Sequence, residues 1–217
     1  MSAEATHGAP SRTVRIGITG PIGCGKSTIS AALAERGGVV VDADHLSHET
    51  TPPGSPTLAA IANRFGPDLI APDGTLDRAV LGRIVFADPN ALRALEAIVQ
   101  PVVRQMIERA VASAESAGAP FVVVEAIKLV EAGYGAQCDE VWLVTCTPEE
   151  QRARLTNRGL PAEQIERRMS AQGADLIERL RPHATRVIDG SGPPDKVARR
   201  AHLALDLALE RHERLRS

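Results

Sequence analysis

The run Gly20-Pro21-Ile22-Gly23-Cys24-Gly25-Lys26-Ser27 fits the spacing G-x-x-x-x-G-K-[ST]. Each residue type has a reason to stand where it does. Glycines let the backbone curl until successive N–H groups face inward and form a nest for an anion. A helix opening near Ser27 adds its positive end. Lys26 brings a mobile positive charge to β and γ phosphates, and Ser27 offers a hydroxyl ligand for Mg²⁺. The spacing therefore points to nucleoside triphosphate bound by Gly23, Cys24, Gly25, Lys26, Ser27 and Thr28. The plain alternative is a strand-to-helix turn with incidental Gly and Lys. A dinucleotide fingerprint is excluded, because the glycines run G-x-x-G-x-G and Lys-Ser follows directly.

Other residues could complete the chemistry. Asp42 and Asp44 follow the apolar run Val39-Val40-Val41, which is expected to lie beside the first strand. A carboxylate at that rim can accept a hydroxyl proton or hold Mg²⁺ through water. Equally, one of the two can cap a helix beginning near His45. His45 and His48 lie three apart on one helical face, which without a third ligand reads as a solvent- or substrate-facing pair rather than a metal site. Glu125 ends a third apolar run, where it either orients the water shell of Mg²⁺ or caps and faces solvent. Arg154, Arg158, Arg167 and Arg168 surround a helix–Gly–helix segment. Arg158, and Arg154 beside it, could neutralise a phosphoryl group in transfer; the alternative is a solvated face shared with interspersed glutamates.

These residues need a scaffold. Val14–Thr19 reads as a buried strand, Ser27 to Arg36 as a helix stopped by Gly37-Gly38, and Val39–Val41 as a second strand. Strand, glycine loop, helix and strand make a βαβ unit and a parallel sheet. Phe121–Val124, Val141–Val144 and Arg186–Asp189 supply three further strands. After Thr51-Pro52-Pro53-Gly54 the patterning turns helical: Leu58 to Phe65, Ala79 to Val85, Ala91 to Ile98 and Val102 to Ala112, with Pro101 beginning or kinking a helix. Pro148–Arg158, Ala162–Gln172 and Lys196–Arg214 are also helical. The expected organisation is a tail over 1–12, an α/β core over 13–50 and 119–217, a helical insertion over about 51–118 and a small lid over about 150–175.

Composition narrows the function classes. The chain has 217 residues, 43% of them hydrophobic and 24% charged, enough for one domain with a core. Aromatics are only 2%, so stacking platforms for single-stranded nucleic acid are nearly excluded. A net charge of −2 gives no bulk attraction to DNA or acidic membranes. No run is long and apolar enough to span a membrane, and Met1–Arg12 has no apolar core of a secretory signal. The three cysteines, Cys24, Cys138 and Cys146, are widely spaced. They suggest neither a disulfide framework nor a zinc knuckle, and the plain expectation is a reducing cytoplasm.

With these residues in view, the chain resembles the dephospho-CoA kinase family from about Val14 to Gly192. The resemblance rests on Gly17–Thr28; on Val41-Asp42-Ala43-Asp44 with His48; on Phe65-Gly66; on Asp73-Gly74-Thr75-Leu76-Asp77-Arg78 with Leu81 and Val85-Phe86; on Leu95–Ile98 before Pro101; on Gln172; and on Val187-Ile188-Asp189. It implies a P-loop α/β fold with a parallel sheet and flanking helices, a helical subdomain that receives the CoA moiety, and a lid. It implies transfer of the γ-phosphate of ATP, with Mg²⁺, to the ribose 3′-hydroxyl of dephospho-CoA. Asp44 is then the base, and Asp42, His48 and Arg78 line the acceptor side. No nucleic acid, membrane or obligatory protein partner is expected.

Two segments depart from the family pattern. Gln100-Pro101 stands where the family usually has His-Pro. Glu125-Ala126-Ile127-Lys128-Leu129-Val130-Glu131 stands where it usually has Asp-x-Pro-Leu-Leu-x-Glu. Lys128 either reaches a phosphate of the acceptor or snorkels to solvent. The rivals are a shikimate-kinase-like or nucleotide kinase and, from another class, an ATP sensor without turnover. The first normally carries a glycine triplet on a later strand, absent here. The second normally has an Asp-Arg pair for its base, which occurs here only as Asp77-Arg78. A sensor has no use for an acceptor-side base.

Overall fold

Five short runs rich in β-branched residues make one parallel sheet: Val14–Thr19 (β1), Val39–Asp42 (β2), Phe121–Glu125 (β3), Glu140–Thr145 (β4) and Arg186–Asp189 (β5). The computed structural model describes residues 13–215, so the tail expected for Met1–Arg12 lies outside the described residues. The strand order is β2-β3-β1-β4-β5. β1 pairs in parallel with β3 and β4, and β4 with β5. The expectation that β2 lies beside β1 is therefore corrected, because β3 takes the place between them. The long segment separating β2 from β3 gives the chain enough length to return to that position.

The helices are Lys26–Glu35 (α1), Ala43–Glu49 (α2), Pro56–Phe65 (α3), Arg78–Ala87 (α4), Pro89–Ser116 (α5), Pro148–Asn157 (α6), Ala162–Gln172 (α7), Leu176–Leu180 (α8) and Pro194–Arg214 (α9). The chain divides into two units. One comprises the described residues up to Val41 and from Val111 onward, and the other is Asp42–Ala110.

The first unit has the sheet at its centre. Ile29 and Leu33 of α1 and Val197, Ala201, Ala204 and Leu205 of α9 join Ile16, Ile18, Val123, Trp142 and Val144 in one buried cluster. Strands covered on both faces read as continuous apolar runs, which is why the periodicity of two is lost in β3 and β4. Each such aliphatic side chain contributes about 1.5–3 kcal/mol by leaving water. A second cluster joins Leu143 to Leu176 and Leu180 of α8.

The second unit is helical around Ile61, Leu69, Leu81, Val85 and Ala91, with Phe65, Leu76 and Leu95 packed against them. Its starts are capped by side chains. Ser55 accepts from the Leu58 N–H at 3.1 Å and begins α3. Asp77 accepts from the N–H groups of Ala79 and Val80 at 3.0 and 2.9 Å and begins α4. The helices expected separately over Ala91–Ile98 and Val102–Ala112 are one helix, α5, with Pro101 inside it. Burial of Val103, Ile107, Val111 and Ala114 along one stripe outweighs the hydrogen bond that a proline cannot donate.

Candidate active site

The carboxyl ends of β1, β3, β4 and β5 share one edge of the sheet, the edge where open α/β sheets bind ligands. The loop after β1 has a backbone that only glycine adopts easily. Gly20, Gly23 and Gly25 have φ of 138°, 78° and 96°. A Cβ on Gly20 would stand 2.1 Å from the Val144 carbonyl oxygen. The loop thus lies flat against β4 and opens directly into α1, where the Ile29 N–H donates to the Gly25 carbonyl at 3.1 Å. Lys26 is 7% exposed, and its ammonium donates to the carbonyls of Gly20 and Pro21 at 3.0 and 3.1 Å. Ser27 is exposed in the first turn of α1, with Thr28 half-buried after it. A glycine loop of this backbone, opening into a helix N-terminus beside a lysine ammonium, fits a triphosphate.

Glu125 ends β3 opposite Ile18 of β1. The Ser30 hydroxyl on α1, one turn beyond Lys26, donates to Glu125 Oε2 at 2.6 Å. Ser27 and Glu125 are hard oxygen donors of the kind that suit Mg²⁺. Lys128 is exposed in the turn after β3, and Thr19 holds that turn by donating to the Ile127 carbonyl at 3.0 Å.

Several residues around the loop were not singled out for it by the sequence. Gln151 of α6 donates to the Ile22 carbonyl at 2.7 Å, and Gln172 of α7 accepts from the Ile22 N–H at 3.1 Å. Arg154 donates to the Gly23, Gly190 and Gly192 carbonyls at 3.4, 2.7 and 2.9 Å. It ties two loops together, whereas Arg158 is exposed at the end of α6. A Cβ on Gly190 would stand 2.0 Å from the Cys24 carbonyl oxygen, so that glycine is required by close approach. The loop after β5 is held by carboxylates. Hydrogen bonds from the Ser191 side chain and the Gly192 N–H lower the pKa of Glu150. The Ser191 N–H does the same for Asp189, helped by Arg200 at 3.0 Å. Only long-range pairing reveals these partners; the single Gly190-Ser191-Gly192 after Asp189 was the available signal.

The expectation of no disulfide is overturned. Cys24 and Cys146 form one, with Cα atoms 5.1 Å apart across a separation of 122 residues. Adjacent pairing of β1 and β4 brings the phosphate loop beside the residue that follows β4, and spacing along the chain carries no trace of it. Cys138 is free, and burial, followed by the charge of Asp139, pushes its thiol pKa up to about 12.

In the second unit, Asp42 is the cap of α2, accepting from the His45 N–H at 2.9 Å. Asp44 stands exposed in the first turn of the same helix. Arg78 donates through Nη2 to the His48 carbonyl and the Thr51 hydroxyl, each at 2.9 Å, which brings Arg78 and His48 together. His45 lies 3.1 Å from Glu49. Among the described residues no group of three or more His, Cys, Asp and Glu side chains converges as a metal site. Nor is any helix among them long and apolar enough to cross a membrane.

Comparison with known proteins agrees with this geometry. A family model described as dephospho-CoA kinase matches residues 14–195. A dephospho-CoA kinase from Symbiobacterium thermophilum is 49% identical over 182 residues, 83% of this chain and 75% of the relative. One from Geobacter metallireducens is 38% identical over 200 residues, covering 92% of this chain and 98% of the relative. A solved structure from Thermus thermophilus is 35% identical with a TM-score of 0.76, covering 89% of this chain and 96% of that one.

Proposed function

The chain belongs to the dephospho-CoA kinase family, and we propose that Lys26 and Asp44 carry its chemistry, Lys26 at the transferring phosphoryl group and Asp44 at the acceptor hydroxyl. The activity is ATP-dependent phosphorylation of dephospho-CoA, and the kinase and sensor alternatives are not favoured. The observation that supports the division of roles is the place of Asp44, exposed in the first turn of the helix that Asp42 caps. Phosphoryl transfer asks little covalent chemistry of a protein. It requires alignment, charge neutralisation and a base for the attacking hydroxyl.

In this reading the loop from Gly20 to Ser27 binds the ATP phosphates through its N–H groups. The Lys26 ammonium leaves the Gly20 and Pro21 carbonyls to follow charge developing on the transferred group. Asp44 accepts the proton of the ribose 3′-hydroxyl as that oxygen attacks phosphorus. Ser27 and Glu125 would hold Mg²⁺, directly and through water, and the ion supplies further neutralisation of phosphate charge. Asp42, His48, Arg78 and Lys128 contact the acceptor, and Arg158 closes over the phosphates from a lid formed by α6 and α7. The helical Asp42–Ala110 unit receives the CoA moiety. A cytoplasmic location belongs to the same proposal, since both substrates are water-soluble metabolites.

The test is Asp44→Asn, assayed as ADP release with Mg²⁺ and dephospho-CoA. Turnover is expected to fall about 10²- to 10⁴-fold, the usual contribution of a positioned base, with ATP affinity unchanged. Collapse of ATP binding with turnover proportional to occupancy would make Asp44 a nucleotide-side residue and remove it from the acceptor.

A further inference from the structure

We infer that Cys146 is a positioning residue for the ATP site: its bond to Cys24 fixes the centre of the phosphate loop to the end of β4, so nucleotide affinity follows the redox state of this pair. The inference rests on the assignment of Gly20–Ser27 to ATP. Cys24 sits between Gly23 and Gly25, both at positive φ and two of the three loop glycines, the residue type with most conformational freedom to lose on ordering. Its side chain is fully buried in the core with Ile16, Val144 and Ile188. Its carbonyl oxygen lies where a Cβ on residue 190 would stand, a place left open by Gly190. Its sulfur is bonded to Cys146, one residue beyond β4. The bonded loop has Gly23 and Gly25 at positive φ and opens into α1 at Lys26, the backbone course of an anion-binding loop, so the bond holds the site in place rather than blocking it. A loop held in its binding conformation spends less of its interaction energy on ordering.

The chemistry is reversible. Cys146 is half-buried and Cys24 fully buried, so the exchange is written with attack at Cys146. A dithiol attacks there as thiolate, the Cys24 sulfur leaves and takes a proton, and the dithiol's second thiolate displaces Cys146 as the reagent closes into a cyclic disulfide. Two electrons and two protons pass from reagent to protein. A low-molecular-weight disulfide reverses this through a mixed disulfide, releasing two equivalents of its thiol. In a reducing cytosol disulfides are rare, and those that form are usually transient and catalytic or redox-sensing.

The experiment uses the full-length protein, purified without reductant, and records its intact mass and its steady-state kinetics before and after dithiothreitol. Mass and alkylation are expected to find the pair bonded and Cys138 as thiol. Reduction is expected to raise the KM for ATP about fivefold, the effect of freeing one or two loop residues, with kcat and the KM for dephospho-CoA unmoved. Glutathione disulfide restores the low KM, and Cys146→Ala has the high KM with and without reductant. Two thiols at these positions after treatment with oxidant would overturn the inference. So would verified cleavage that lowers the melting temperature and leaves the KM for ATP unchanged, since the bond would then only stabilise the fold. If Cys146→Ala does not fold, the reduction and reoxidation series on the natural chain decides alone. Normal turnover by Lys26→Ala in both redox states would instead remove the phosphate-loop assignment.

Discussion

Lys26 is nearly enclosed, and its ammonium is satisfied by two loop carbonyls. Truncation to Ala removes the charge that follows the transferring phosphoryl group and leaves those carbonyls without that donor. We expect Lys26→Ala to lose about 10²- to 10³-fold or more in kcat, the scale on which single charge-stabilising donors act. ADP release under saturating ATP and dephospho-CoA checks this, and near-natural turnover would sink the assignment. At this scale the sequence was informative wherever a residue works through its neighbours in the chain. The Gly-Lys-Ser loop that opens α1, and a cap of α2 at one of Asp42 and Asp44, depend on spacings of a few residues, and the cap is Asp42. Asp73-Gly74-Thr75-Leu76-Asp77-Arg78, legible as a motif, turns out to be largely a turn and a cap. Asp73 accepts from the Thr75 N–H and hydroxyl, Leu76 packs inward and Asp77 begins α4. Cys146 and Gln151 reach the loop over more than a hundred residues, so no local pattern could expose them, and Arg154, expected at the phosphoryl group, instead holds the Gly23, Gly190 and Gly192 carbonyls.

Among the elements, α5 was the one whose continuity was misjudged. Pro101 is exposed on it, so its cost is the backbone bond it cannot make and the crowding of the preceding turn, not any side-chain fit. Pro101→Ala should therefore raise stability by about 1–3 kcal/mol, the unfolded chain's gain in freedom taking back part of the helix gain. Chemical denaturation measures it, and a lower midpoint would mean that the proline's shape is needed where it stands. The loop after β5 supplies a second prediction, in pH. Glu150 and Asp189 both have lowered pKa values in the folded chain, Glu150 chiefly through the Ser191 side chain and Asp189 chiefly through the Ser191 N–H. A carboxylate shifted in that direction contributes stability that is present above its ordinary titration range and lost as pH falls through the lowered, folded-state value. The difference in melting temperature between the natural chain and Glu150→Gln should be constant near neutrality and shrink in acid, below the ordinary glutamate range. A difference that grew in acid would reverse the sign of the argument. ATP affinity should weaken over the same range, since Arg154 carries this loop against Gly23.

Across the whole molecule, the parallel sheet and its five strands followed from apolar runs bounded by glycine and acidic residues. The position of β3 between β2 and β1 did not, because strand order is set by pairing over distances that periodicity does not sample. The same limit hid Glu140. It is a charged residue opening an apolar strand, only 3% exposed. Its carboxylate lies 3.5 Å from Arg186 on β5 and 3.3 Å from Arg211 on α9, and it accepts from the Thr185 hydroxyl at 2.8 Å and the Trp142 indole at 3.2 Å. One carboxylate thus joins β4, β5 and α9. Taking it out of water is compensated only while those partners remain, and its removal leaves Arg186, itself largely buried, facing an apolar gap. We expect Glu140→Ala to destabilise the fold by about 3–5 kcal/mol, the cost of breaking a buried ion pair by removing one partner. KM for ATP and for dephospho-CoA should be unchanged in the fraction that stays folded, because the network lies at the amino end of β4, opposite the edge that carries the phosphate loop. Urea unfolding followed through Trp142, the sole tryptophan and a direct partner of Glu140, reads the loss. A shift below about 1 kcal/mol would place this network with the weak surface pairs instead.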